Sequence, residues 1–112
     1  MNKITFIAFA IFVLTSCQSE STKEIPAGVI SRDSMVKLMA DVHIAEARIQ
    51  ISDIRNSNPA LKNTYIQEVL RRSGTDTARF NFSFKYYSGN PEVFASMYEE
   101  VIVEISKKQA KQ

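Results

Sequence analysis

Two places in this chain carry side chains whose chemistry invites a reading. The first is Cys17, the only cysteine in 112 residues. A lone thiol builds no disulfide framework. Preceded by Thr15 and Ser16, it is a nucleophile with small neighbours, open to an enzyme that must close on the bond before it. The second is Asp41-Val42-His43-Ile44-Ala45-Glu46. Read as letters, Asp41, His43 and Glu46 look like a metal set. On a helix at about 100° per residue, however, Asp41 points nearly opposite to His43 and Glu46, so one ion cannot be held by all three. His43 and Glu46, at i and i+3, are left as two ligands of a site completed from elsewhere, or as a base and its orienting carboxylate. His43 is the only histidine, so a further ligand would be of another type.

The competing reading is structural. Buried polar side chains must find hydrogen-bond partners. His43, Glu46 and Gln50 would then form a network with Ser83, Asn81, Tyr86 or Tyr87 that fixes helix register. On that reading Glu46 is at least half buried and bonded to another helix. A second cluster, Phe80, Phe84, Tyr87, Phe94 and Tyr98, is either core or the lining of an apolar pocket or partner groove.

These side chains need elements to hold them. Met1-Asn2-Lys3 is a short basic start, followed by an apolar run from Ile4 to Leu14. Eleven residues at helical rise reach about 16 Å, against a hydrocarbon core roughly 30 Å thick. The segment is too short to span a membrane and has the order of a secretory signal. Leu14-Thr15-Ser16-Cys17 resembles a bacterial lipobox. That resemblance implies a diacylglyceryl group on the Cys17 thiol, cleavage after residue 16 and acylation of the new amine. Residues 17–28 then form the lipidated cysteine and a polar tether ending at Pro26 and Gly28. Gln18 is not the Asp that resembles an inner-membrane retention signal, which points to the outer membrane.

The rest, 29–108 with a basic tail at 109–112, reads as one all-α domain, a small bundle of about four helices. The first helix starts after Ser31, with Asp33 in its first turn, and runs to about Asn56. Its wheel places Ser34, Lys37, Asp41, Arg48, Ser52 and Arg55 on the solvent stripe. Leu38, Val42, Ala45 and Ile49 form one apolar flank; Val36, Ala40, Ile44, Ala47 and Ile51 form the other. Such a helix belongs at the centre of the bundle. Asn56-Ser57-Asn58-Pro59 breaks it. A second helix covers about 60–73 and stops at Gly74. The third runs from Thr75 or Asp76 to about Ser88 and closes at Gly89. Asn90-Pro91 opens the fourth as N-cap and N1, with Phe94, Met97, Tyr98, Val101 and Ile105 on one face. Lys107, Lys108 and Lys111 read as solvated.

Charge narrows the function classes. Losing Lys3 with the signal leaves thirteen basic residues against twelve acidic, no electrostatic footprint for nucleic acid. There is no phosphate loop, no nucleophile–base set in the domain, and no motif that calls for a cofactor.

Asp41-Val42-His43-Ile44-Ala45-Glu46-Ala47 resembles the D-[IV]-H-x-A-E-A signature of the domain of unknown function 4296 family, small lipoproteins typical of Bacteroidota. Phe80-x-x-Ser83-x-x-Tyr86-Tyr87, Asn90-Pro91, Tyr98-x-x-Val101 and Ile25-Pro26 are similar to other parts of that family. Arg79-Phe80-Asn81-Phe82 departs from it, where acidic residues are usual. The resemblance implies a helical exported lipoprotein and carries over no catalytic residue. The expected function is a non-enzymatic binding or assembly module at the envelope, held to a membrane by Cys17 and meeting a protein partner. The alternatives are an apolar-ligand carrier and a small metal or acid–base enzyme using His43 and Glu46. The lipid assignment is testable. A Cys17→Ala variant should keep residues 1–16 by mass and incorporate no labelled palmitate; labelling equal to wild type would place the lipid elsewhere.

Overall fold

The computed structural model describes residues 24–51 and 58–112. The export signal, Cys17, most of the tether, and Ser52 to Asn56 at the expected end of the first helix lie outside the described residues. Four helices follow one another: α1 (Arg32–Ile51), α2 (Pro59–Arg72), α3 (Thr77–Ser88) and α4 (Pro91–Ala110). The described residues contain no strand, so the stretch where Phe80, Phe82, Phe84 and Tyr86 alternate, a pattern that also fits a half-buried strand, is helical.

Most helix ends are set by local chemistry. The Asn58 side chain accepts from Ala60 N at 2.9 Å, and Pro59 takes the first helical position, where its missing N–H costs nothing. At the other end of α2, Gly74 adopts φ +74. Its N–H donates to Arg71 O, and the Thr75 N–H donates to Leu70 O. This paired arrangement satisfies two carbonyls the helix leaves open, and the left-handed residue suits glycine. Asp76 caps α3 through Arg79 N at 2.8 Å, and Asn90 caps α4 through Val93 N at 3.2 Å. Helix α4 runs to Ala110, so residues 109 and 110 of the expected tail are its last two residues.

The core collects Val29, Ile30, Met35, Val36, Leu38, Met39, Ala40 and Val42 with Leu70, Tyr87, Met97 and Val101. Helix α1 supplies most of it. Its first turns are covered on both apolar flanks. From Ile44 onward only one flank stays covered: Ala45 and Ile49 are buried, while Ala47 is exposed and Ile51 is 89% exposed. The expectation of a helix buried on two sides therefore holds for its first half alone. Helix α1 also lies across α4. Arg32 reaches Ser96 and Glu100, at 2.9 and 2.6 Å, whereas His43 reaches Tyr98. Residues 98 and 100, two apart, stand on opposite sides of a helix.

The segment before α1 is the part of the fold that local rules do not explain. A turn with Gly28 at φ +87 closes Val29 N onto Pro26 O and delivers Val29 and Ile30 into the core. Ile30 is 7% exposed, and its backbone cannot reach water. Helix α3 satisfies both groups: the Ile30 N–H donates to Ser83 Oγ at 2.9 Å, and the Tyr87 hydroxyl donates to Ile30 O at 2.6 Å. Ser83 in turn donates to Arg79 O at 2.8 Å.

This clamp predicts two losses. Ser83→Ala and Tyr87→Phe each leave a buried backbone group without a partner, which costs about 1–3 kcal/mol and is readable in urea unfolding. Burial, reinforced by the neighbouring Tyr86, also raises the Tyr87 hydroxyl above its ordinary value of 10.0, with Arg32 opposing. A raised acid favours the folded state while it stays protonated. Stability should hold below about pH 10 and fall as pH climbs through the raised value, and Tyr87→Phe should lose that part of the alkaline response.

Candidate functional site

The structure brings the two sequence clusters together and redistributes their members. His43 and Glu46 share one side of α1, at i and i+3, with side chains 39% and 42% exposed. The His43 Nδ1 to Glu46 Oε2 distance is 3.7 Å. That lies beyond hydrogen-bond range and leaves an electrostatic contact only. On its other nitrogen, His43 Nε2 meets the Tyr98 hydroxyl at 3.3 Å. The bond to another helix that was expected of Glu46 is thus made by His43, and Glu46 is paired within its own helix.

The remaining members of the expected network stand elsewhere. Ser83 is fully buried but faces Ile30. Gln50 is exposed, because the last turns of α1 are uncovered on that side. Tyr86 is 39% exposed and packs its ring against Tyr87. Asn81 is exposed. Asp41 lies around the helix from His43, as the wheel required, and pairs with Lys108. That pairing also corrects the reading of Lys108 as merely solvated. Among the described residues no three His, Cys, Asp or Glu side chains gather closely enough to hold a metal ion.

Tyr98 belongs at once to the polar pair and to a row of rings. Phe80 and Phe84, one turn apart on α3, have centroids 6.3 Å apart. Phe84 meets Phe94 of α4 at 5.2 Å, edge to face, and Phe94 meets Tyr98 at 5.0 Å in the same geometry. His43 completes the row, 5.8 Å from Tyr98. These spacings fall in the favourable range for aromatic pairs, each worth about 0.5–1.5 kcal/mol beyond the area it buries. The row crosses α3, α4 and α1. It is neither core nor free surface: Phe80, Phe94 and Tyr98 are half-buried, and Phe84 is 36% exposed. Tyr87, grouped with these rings by its spacing, instead turns into the core toward Ile30. Ile102, one turn beyond Tyr98, is 60% exposed. Three open clefts border α1, and none is lined by His43, Glu46 or the row of rings. Tyr98 was visible in the sequence as an aromatic. Its role as the polar partner of His43, 55 residues away, had no local signal.

Position in the row sets the expected costs. Phe94 touches a ring on each side, so Phe94→Ala should destabilise by about 2–4 kcal/mol. Tyr98→Phe keeps the ring and removes only a long, half-exposed hydrogen bond, so it should stay within about 0.5 kcal/mol. Thermal unfolding of the two variants checks the ranking.

The comparisons with known proteins agree with this architecture. Residues 1–18 match the prokaryotic membrane lipoprotein lipid attachment site, which makes the chain an exported, membrane-anchored lipoprotein. No curated protein and no solved structure matches it. Residues 26–111 match the model of the Domain of unknown function (DUF4296), from the turn before α1 to the end of α4, and the chain belongs to that family.

Proposed function

We propose that the mature protein is a non-enzymatic binding module at the outer membrane, and that the half-exposed row Phe84, Phe94, Tyr98 and His43 is where an envelope protein docks. The observation that carries this reading is the form of the row. Its rings pack on one another, stay partly exposed to solvent, and end in a polar pair, His43 with Glu46. Rigid aromatic anchors with a polar rim are the composition of protein interfaces. A small-molecule site would be concave, and the clefts beside α1 are lined by other residues. The uncovered side of α1 beyond His43, with exposed Ala47 and Ile51, extends the same surface. The outer membrane rests on Gln18 in place of the retention-type Asp.

A photo-crosslinking residue at Ala47, one turn from His43, tests the proposal in native membranes, with the same residue at Lys62 of α2 as control. The Ala47 probe should give one stoichiometric protein adduct and the Lys62 probe none. Phe84→Ala should weaken the adduct about thirtyfold, as expected for an aromatic anchor worth roughly 2 kcal/mol. No adduct at Ala47, or the same adduct from Lys62, overturns the reading.

A further inference from the structure

The ionic groups of this domain are sorted by side, although the mature chain is close to neutral. Two open clefts meet at Asp41 and Ser73. One lies between α1, α2 and the end of α4 and is lined by Arg48, Arg72, Lys108 and Lys111 over an apolar floor of Ile44, Ala45 and Val69. The other continues past Arg79 and Lys37 to Ile25. Asp41 is the only acid that lines either cleft, and Lys108 pairs with it. Nearby, Glu68 is held by two bonds from Arg71 at 2.7 Å and one from Arg72 at 3.0 Å. Those bonds lower its carboxyl from 4.5 to about 2. Asp76 is engaged as the α3 cap. With Glu68 and Asp76 counted against the face, Arg71 counted with it, and Arg48 left out, six cations face three anions. The cleft between α1 and α4 is more acidic: Asp33, Glu99, Glu100 and Glu104 line it with Lys107 and with Lys37, which it shares with the basic face, and Arg32 and Lys107 pair with Glu100 and Glu104.

The basic face is also where the chain enters the domain. Ile25 lines its second cleft, and Val29 and Ile30 are already buried. Ile25 lies eight residues beyond Cys17 in the chain. Fully extended, that span reaches at most about 29 Å, shorter than the tether to Gly28 that the composition suggests. A domain on so short a leash is held near the bilayer on the side where its cations gather.

We infer that this face, centred on Arg72, Arg79, Lys108 and Lys111, docks on the anionic lipid headgroups of the membrane that Cys17 anchors. The lipid alone fixes distance. The basic face adds orientation, because each Lys or Arg near an anionic surface favours the docked state and the effect fades within a Debye length. The row of rings lies outside both clefts. The inference rests on the anchor and not on the partner reading, so either can fail alone.

The test uses the mature lipoprotein inserted through its own lipid into vesicles of phosphatidylcholine, with or without phosphatidylglycerol. The Cys17 thiol is consumed by the lipid, so a dye on Ser73→Cys reports the basic face and a dye on Glu99→Cys the acidic one, by energy transfer to a headgroup acceptor. Transfer from position 73 should rise on the anionic vesicles alone, exceed that from position 99, and collapse in about 1 M salt, where screening acts within roughly 3 Å. Each of Lys37→Gln, Arg72→Gln and Lys111→Gln should lower the docked-to-undocked ratio about fivefold, with helicity by circular dichroism unchanged. Equal transfer from position 73 on both vesicle types overturns the inference. So does transfer unaffected by salt, a readout that needs no variant. Loss of transfer on adding polyglutamate, with no difference between vesicles, would give the face to an acidic protein segment instead.

Discussion

The backbone of Ile30 is the constraint on which this small bundle depends. A chain that leaves a tether and dives into a core carries an N–H and a carbonyl away from water, and each must be answered. Ser83 and Tyr87 of α3 answer both. In doing so they tie the start of α1 to a helix that begins 45 residues later, and they fix where the tether ends. Ser83 is the one polar residue among the described ones that is wholly buried. Its hydroxyl works in both senses, accepting from Ile30 N and donating to Arg79 O.

With its entry fixed there, α1 crosses α4 and cannot be covered evenly along its length. The three other helices do not enclose the 20-residue α1 on two flanks throughout. The first turns take both covers. The last turns keep one, supplied on the side of Ala45 and Ile49, and open the other around Ala47 and Ile51. The aromatic row sits at this transition. Its rings are buried enough to be ordered by one another and exposed enough to meet something else. His43 and Glu46 occupy its end as a rim, in contact with Tyr98.

Anchoring and charge address a different problem from partner contact. A lipid at Cys17 localises but does not orient. Because the mature domain is nearly neutral, its sum of charges hides the separation between the side that carries Arg72, Arg79 and Lys111 and the side that carries Glu99, Glu100 and Glu104. Ile25, where the chain enters the domain, lines the basic side, so charge and anchor are aligned.

The sequence by itself determined whatever depends on near neighbours. The export signal and Cys17, the break before Pro59, the cap at Asn90, the stop at Gly74, the helical class and the opposition of Asp41 to His43 all follow from spacing within a few turns. Capping and wheel geometry are local physics, and local physics is legible in letters. Tertiary structure decided the rest. Spacing groups Ser83 with His43, but it binds Ile30; it groups Tyr98 with the aromatics, and Tyr98 is also the partner of His43; it leaves Lys108 to solvent, but Lys108 holds Asp41. Each pairing joins residues more than fifty positions apart. A helical wheel shows which flank can be covered but not how far the cover extends, because that length is set by how helices cross. The fate of His43 and Glu46 turned on that crossing, and so did the gathering of scattered cations on one face.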